Sequence, residues 1–313
     1  MDFAQYIPQR VVFVDHDGEE IAADIQATLP ELEFRLRERH TVTAEDFQWA
    51  DTMIGYTNGI EHVAQLRWVH SSAAGVDALL RKGWAEGVLL TRTVGKMGQR
   101  IAEYCLAHAL AHTQFIRLAA DQQRQRSTSR YRPELLRGTN VVVFGTGEIG
   151  QAVGNAFAAV GCRVLGVSRT GRAVAPFEQV VAMEECAPVL AESDWIVFTL
   201  PLTEQTRHIF NADRLSHCNG AKLISVGRGA VVDAAAMLTA LDAGQISAAV
   251  LDVFEKEPLA PESPLWTHPQ VVVTPHIAGR TDPEDVAKDF LDAVAALKQN
   301  SRPRLTADPA RGY

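Results

Sequence analysis

The 313-residue chain is poor in cysteine, and its four, Cys105, Cys162, Cys186 and Cys218, lie far apart with no C-x-x-C among them. Neither a disulfide framework nor a zinc pattern can be built on that spacing, and scattered free thiols suit a reducing compartment. Long apolar runs are missing as well. None approaches the roughly 20 residues that a bilayer-spanning helix needs. The opening Met1-Asp2-Phe3-Ala4-Gln5 has no basic n-region and no apolar core of an export signal, so a cytoplasmic location is expected. Basic charge is in deficit: 30 Lys and Arg stand against 38 Asp and Glu, a formal net charge of −8. Bulk electrostatics therefore offers no means of holding nucleic acid or an anionic membrane, and an anion can bind only where a few basic residues converge.

Apolar residues, by contrast, make up 47% against 22% charged, the balance of a globular protein with a full core. At roughly 100–200 residues per domain the length suggests two domains. Short β-branched runs, Val11–Val14, Thr52–Gly55, Trp68–His70 and Val88–Thr91, alternate with helical stretches such as Glu19–Leu29. After a long helical pattern, Gln99–Arg117, come Val141–Phe144, Arg163–Val167, Trp195–Leu200, Lys222–Val226, Ala248–Asp252 and Val271–Thr274, with helices Ile149–Val160 and Asp233–Ala243 between them. This alternation predicts an α/β fold: two doubly wound, Rossmann-like parallel sheets separated by a cleft. The last helix, Glu284–Gln299, has no strand after it and is expected to fold back on the first unit. The expected domains are then 1–98 plus 283–313, and 99–282. Polar, Arg-rich Asp121–Gly138 reads as a linker.

Strand Val141–Phe144 runs into Gly145-Thr146-Gly147-Glu148-Ile149-Gly150 with a helix directly after. In that setting the three glycines serve a tight turn, close approach to a pyrophosphate and helix–strand packing, with the helix N-terminus facing phosphate. An acid at the end of the next strand would bind the ribose 2′-hydroxyl of NAD. That end is Ser168-Arg169-Thr170, with no carboxylate. Guanidinium and hydroxyl groups suit a 2′-phosphate, so NADP(H) is expected over NAD(H). A solvated Arg169 is the plainer alternative.

In open α/β sheets chemistry collects at the carboxyl ends of strands. Those ends carry Leu200 and Pro201, with Thr206 further on; Val226-Gly227-Arg228; Asp252 with Glu257 five residues later; and His276 with Ala278 and Gly279. Arg228 can grip a carboxylate in two-point fashion and polarise the adjacent carbonyl. His276 can supply a proton while a nicotinamide supplies hydride, and Glu257 beside the imidazole would lift its pKa. Arg228, Glu257 and His276 are thus the candidate catalytic set for reducing a 2-keto acid. Taken singly, each could be a capping or solvated side chain. A dinucleotide-sensing protein without turnover also stays open, although sensing needs no acid catalyst.

The stretches Gly145–Gly150, Ser225-Val226-Gly227-Arg228-Gly229, Leu251–Leu259, Ser263-Pro264-Leu265-Trp266 and Thr274-Pro275-His276-Ile277-Ala278-Gly279 resemble the D-isomer-specific 2-hydroxyacid dehydrogenases over nearly the whole chain. Within that family the chain is most similar to the NADPH-dependent glyoxylate/hydroxypyruvate reductase A branch, through Ser168-Arg169-Thr170, Gly95-Lys96-Met97-Gly98 before Glu103-Tyr104, and the terminal Ala310-Arg311-Gly312-Tyr313. The resemblance implies Arg228, Glu257 and His276 as catalytic residues and places Asp252 by the nicotinamide carboxamide. It further implies the Ala74 and Gly75 amides, with Arg228 and His276, around the substrate, and a homodimer. Ser225 stands where the family's Asn is usual, and Val94-Gly95 where Pro-Gly is commoner. Glu257, where a Gln marks the formate branch, argues against formate oxidation. His108 and His112, four apart on a helix, read as packing residues; no metal is expected.

Overall fold

The structure, a computed structural model, describes residues 2–56, 65–80, 83–310 and 312. Arg311 and Tyr313 of the terminal match lie outside them. The chain divides into one unit of Met1–Lys96 with Thr281–Tyr313 and another of Met97–Arg280, each seam two residues before the expected one.

The first unit is built on parallel strands β1 (Arg10–Val14), β2 (Glu33–Arg37), β3 (Thr52–Gly55), β4 (Trp68–Ser71) and β5 (Leu89–Arg92), in spatial order β2-β1-β3-β4-β5. Helices α1 (Gly18–Thr28), α2 (Ala44–Trp49) and α3 (Asp77–Leu80) connect them. The return helix, Pro283–Lys298, packs its Val286, Phe290, Val294 and Leu297 into the same core as Val11, Ile25 and Trp68. Trp68 and Phe290 stack at 4.7 Å with 3° between the rings. Under that stack His70 is fully buried, its ring nitrogens 2.7 and 3.0 Å from the Thr91 and Thr93 hydroxyls. Two buried carboxylates of the return helix clamp the segment after β5. Asp289 accepts the Val94 and Gly95 N–H groups, both at 2.8 Å, and Asp285 accepts that of Lys96 at 3.2 Å.

In the second unit all seven strands are again parallel: β6 (Asn140–Phe144), β7 (Arg163–Ser168), β8 (Gln179–Ala182), β9 (Trp195–Phe198), β10 (Ala221–Ser225), β11 (Ile246–Leu251) and β12 (Val271–Val273), ordered β12-β11-β10-β9-β6-β7-β8. A parallel sheet covered on both faces calls for continuous apolar strands, and β6 and β9 are buried from end to end but for Asn140. The helices are α4 (Met97–Thr113), α5 (Ile116–Gln125), α6 (Glu148–Ala159), α7 (Ala187–Ala191), α8 (Ala212–Ser216) and α9 (Ala234–Asp242). The order of connections reverses between β6 and β9, which opens a crevice at their carboxyl ends where dinucleotides bind in such sheets.

Three expectations need correction. The helix read as Gln99–Arg117 ends at Thr113, because Phe115 turns left-handed (φ 54°) before α5 begins. Asp121–Gly138 is not a plain linker: 121–125 finish α5, and Leu136 is buried, its carbonyl accepting from Thr139. Strands β2 and β8 have no counterpart in the sequence reading.

Candidate active site

Because every strand of the second unit points the same way, all its strand-end residues fall on one rim. Along that rim the neighbours are His276 after β12, Asp252 and Glu257 after β11, Arg228 after β10, Leu200 after β9, the glycine turn after β6 and Ser168–Thr170 after β7.

At one end, His276 Nδ1 lies 2.7 Å from Glu257 Oε2. The other carboxylate oxygen accepts the Phe254 N–H at 2.9 Å, which fixes the carboxyl group against its own turn. Hydrogen bonding to Glu257 raises the His276 pKa above its ordinary value, against the opposing effect of burial and the Arg228 charge. Burial alone would raise Glu257, but the bonds from His276 and Phe254, with the His276 and Arg228 charges, bring it below the usual carboxylate value. The Arg228 charge thus acts on both partners, and the structure brings the three candidate residues into one electrostatic group. With Nδ1 committed to Glu257, Nε2 is the nitrogen left to meet a substrate; among the described residues it has no partner. Arg228 also donates to the Gly227 carbonyl at 2.9 Å. His276 is left-handed (φ 54°), a conformation costing a non-glycine residue about 1–3 kcal/mol and found mostly where function holds it.

Asp252 is 1% exposed and braces that strained turn. It accepts N–H groups from Ile277 (2.9 Å) and Ala278 (2.8 Å) and the Thr274 hydroxyl (2.5 Å), while its carbonyl accepts the His276 N–H at 2.9 Å. Tyr104 on α4 reaches Thr274 at 2.6 Å. Sequence reasoning gave neither Tyr104 nor Thr274 a role.

Toward the other end, the glycine turn fits a dinucleotide. A Cβ on Gly150 would stand 1.8 Å from the Gly145 carbonyl oxygen, so the third glycine is imposed by packing. A Cβ on Gly147 would meet nothing within 4 Å. Gly147 is the N-cap of α6, and no side chain caps that N-terminus. Uncapped amides beside open space are what a pyrophosphate requires. Thr146 and Ile149 flank the turn half-buried, while Glu148 is exposed. Ser168 Oγ accepts the Gly171 N–H at 3.1 Å, which shapes the turn after β7; Arg169 and Thr170 are exposed, and no carboxylate among the described residues pairs with Arg169. Leu200 is buried and Pro201 half-buried in the loop after β9. The Thr206 hydroxyl is spent on that same loop, donating to the Pro201 carbonyl (2.7 Å) and accepting the Thr203 N–H (2.7 Å). Val226 continues β10, its N–H on the Phe198 carbonyl, and Gly227 is buried against Leu200. Ala278 is buried, and Gly279 packs on Ile101 of α4.

Within the first unit, Ala74 and Gly75 follow β4, and among the described residues neither N–H has a partner. His108 and His112 sit against aromatic rings, Tyr104 at 4.4 Å and Trp195 at 5.5 Å. The four cysteines are free and buried. Among the described residues no helix is long and apolar enough to cross a membrane.

Two Rossmann-like sheets, the second with an acid–base pair on the same rim as a dinucleotide turn, define a nicotinamide-dependent oxidoreductase. The sequence profile of the D-isomer specific 2-hydroxyacid dehydrogenase NAD binding domain matches residues 106–278. An uncharacterised Streptomyces coelicolor protein is 42% identical over 250 residues, 80% of this chain and 90% of that one. Glyoxylate/hydroxypyruvate reductase A of Salmonella paratyphi B is 32% identical over 277 residues, 84% of this chain and 88% of its own length. Among solved structures, a D-isomer specific 2-hydroxyacid dehydrogenase from Xanthobacter autotrophicus Py2, crystallised with NADPH and MES, superposes with a TM-score of 0.87 at 33% identity, covering 98% of this chain and 100% of that one. The chain belongs to the D-isomer specific 2-hydroxyacid dehydrogenase family.

Proposed function

We propose that this protein reduces small 2-keto acids, glyoxylate and hydroxypyruvate foremost, to 2-hydroxy acids with NADPH. The observation that carries the reading is the 2.7 Å contact of His276 with Glu257, on the same rim as Arg228 and the glycine turn. A dihydronicotinamide, when bound, supplies the two electrons and the hydrogen for the carbonyl carbon. This chain's residues do the rest. Arg228 holds the carboxylate and draws charge toward the carbonyl oxygen; the Ala74 and Gly75 amides, unpartnered among the described residues, are of the kind that suits a carboxylate. His276 delivers the proton from Nε2, and Glu257 stabilises the imidazolium that precedes delivery. Asp252 accepts a single described bond at Oδ2, from Ala278, which leaves that oxygen capacity for the nicotinamide carboxamide.

NADPH over NADH is supported by Arg169, which has no carboxylate partner among the described residues, beside Ser168 and Thr170; the relative crystallised with NADPH is consistent with this. The proposed homodimer rests on apolar side chains exposed within one stretch: Leu110, Ile116, Leu118, Tyr131 and Leu135, the last 77% exposed. A cytoplasmic site would supply both NADPH and reduced thiols.

Steady-state NADPH oxidation with a panel of 2-keto acids tests the proposal. Arg169→Asp is expected to shift the NADPH/NADH preference about tenfold or more toward NADH, since a hydrogen bond to a charged group contributes about 1.5–3 kcal/mol. An unchanged ratio would rule out the cofactor assignment. NADPH binding without turnover of any 2-keto acid would instead favour a sensing protein.

A further inference from the structure

The turn that carries the proton donor is tied to α4 by a hydrogen-bond chain with a fixed direction. Asp252 accepts the Ile277 and Ala278 N–H groups and takes a third bond from the Thr274 hydroxyl at 2.5 Å. Thr274 has one hydroxyl hydrogen, and a carboxylate can only accept, so that hydrogen goes to Asp252. The 2.6 Å contact between Tyr104 Oη and Thr274 Oγ1 is then donated by Tyr104. Donors run from Tyr104 through Thr274 to Asp252, and each polarises the next. Burial pushes the Tyr104 phenol above its ordinary range, with the Asp252 charge adding to it, so the group stays a donor.

We propose that Tyr104 is a positioning residue for the proton donor: acting through Thr274 and Asp252, its hydroxyl holds the left-handed His276 turn so that Nδ1 stays on Glu257. The inference rests on the function proposed above. Tyr104 touches neither substrate nor the reacting atoms in this account. The charged groups acting on His276 are Glu257, Arg228 and Asp252; those sensing Asp252 from α4 are Tyr104, Cys105 and His108. Of the α4 groups, Cys105 is a fully buried thiol pushed far up by burial, and His108 packs on the Tyr104 ring. Among the described residues, only Tyr104 on that helix is hydrogen-bonded to Thr274.

The test is the titration of His276, followed by NMR in the full-length wild type and in Tyr104→Phe, alongside the pH dependence of kcat and KM with glyoxylate and NADPH. Tyr104→Phe is expected to lower the His276 midpoint by about half a pH unit as its grip on Glu257 loosens. At pH above that midpoint kcat should fall about three- to tenfold, with KM for NADPH unchanged, because fewer molecules hold the positioned donor. Thr274→Val should do the same and Thr274→Ser should restore wild-type behaviour. Adding Tyr104→Phe to Thr274→Val should cost nothing further, since both cut one chain. An unmoved His276 midpoint in Tyr104→Phe, or effects of the two variants that multiply, would overturn the proposal. If Tyr104→Phe does not fold, the contrast between Thr274→Val and Thr274→Ser decides the matter, equal behaviour of the two counting against it. The titration needs no turnover. A wild type that reduces no 2-keto acid would therefore sink the functional reading while the midpoint still decides the role of Tyr104.

Discussion

The proposed reaction needs His276 to be an acid at the working pH, and its surroundings set how far that reaches. Its pKa is raised chiefly by Glu257, so the protonated imidazole persists to higher pH, and the proposed reduction is expected to be lost as pH rises through that raised value. Glu257→Gln keeps an acceptor but removes the charge. The alkaline limb of kcat is expected to move to lower pH, and a pH–rate profile with an unmoved limb would show that Glu257 does not tune the imidazole. His276→Ala should lose about 10²- to 10⁴-fold in kcat, the usual worth of a positioned proton donor. Both side chains were legible before any fold was known, because each follows an apolar strand by a short segment. Tyr104 was not. Its partner Thr274 is 170 residues away, and no local pattern connects a helical tyrosine to a strand-end threonine.

At the scale of elements, the glycine turn separates what packing requires from what a ligand requires. Gly150→Ala forces a methyl carbon to within 1.8 Å of the Gly145 carbonyl oxygen. Urea unfolding should register a loss of about 3 kcal/mol or more, since backbone can yield little in so tight a turn. Gly147→Ala meets no described residue beyond its own chain neighbours within 4 Å and should leave stability within about 0.5 kcal/mol of wild type. Its cost should appear in the NADPH Kd, by about tenfold or more, equivalent to 1.4 kcal/mol per decade. Equal stability of the two variants would contradict the division of labour. The same scale explains which strands could be read. Central strands such as Val141–Phe144 are buried on both faces and stand out as apolar runs. Strands β2 and β8 lie at sheet edges, and β2, Glu33-Phe34-Arg35-Leu36-Arg37, alternates charge with apolar residues too briefly to be told from a loop.

For the whole molecule, acid sensitivity has a specific source in the first unit. Burial pushes His70 down to about 3, so in the folded protein it stays neutral where an unfolded chain's histidine would charge near 6.5. Its contribution is complete above pH 6.5 and is lost as pH falls toward 3, at up to about 1.4 kcal/mol per pH unit. Hydrogen exchange of the β1, β3 and β4 amides should show this loss between pH 6.5 and 5, and His70→Asn should flatten it; parallel slopes would contradict the assignment. Function is decided by a simpler measurement. Wild-type protein mixed with NADPH and glyoxylate, hydroxypyruvate or larger 2-keto acids is expected to oxidise the cofactor, fastest with the small acids and more slowly as pH rises past the His276 pKa. Tight NADPH binding with no oxidation by any of these acids would contradict the assignment of Arg228, Glu257 and His276 to catalysis.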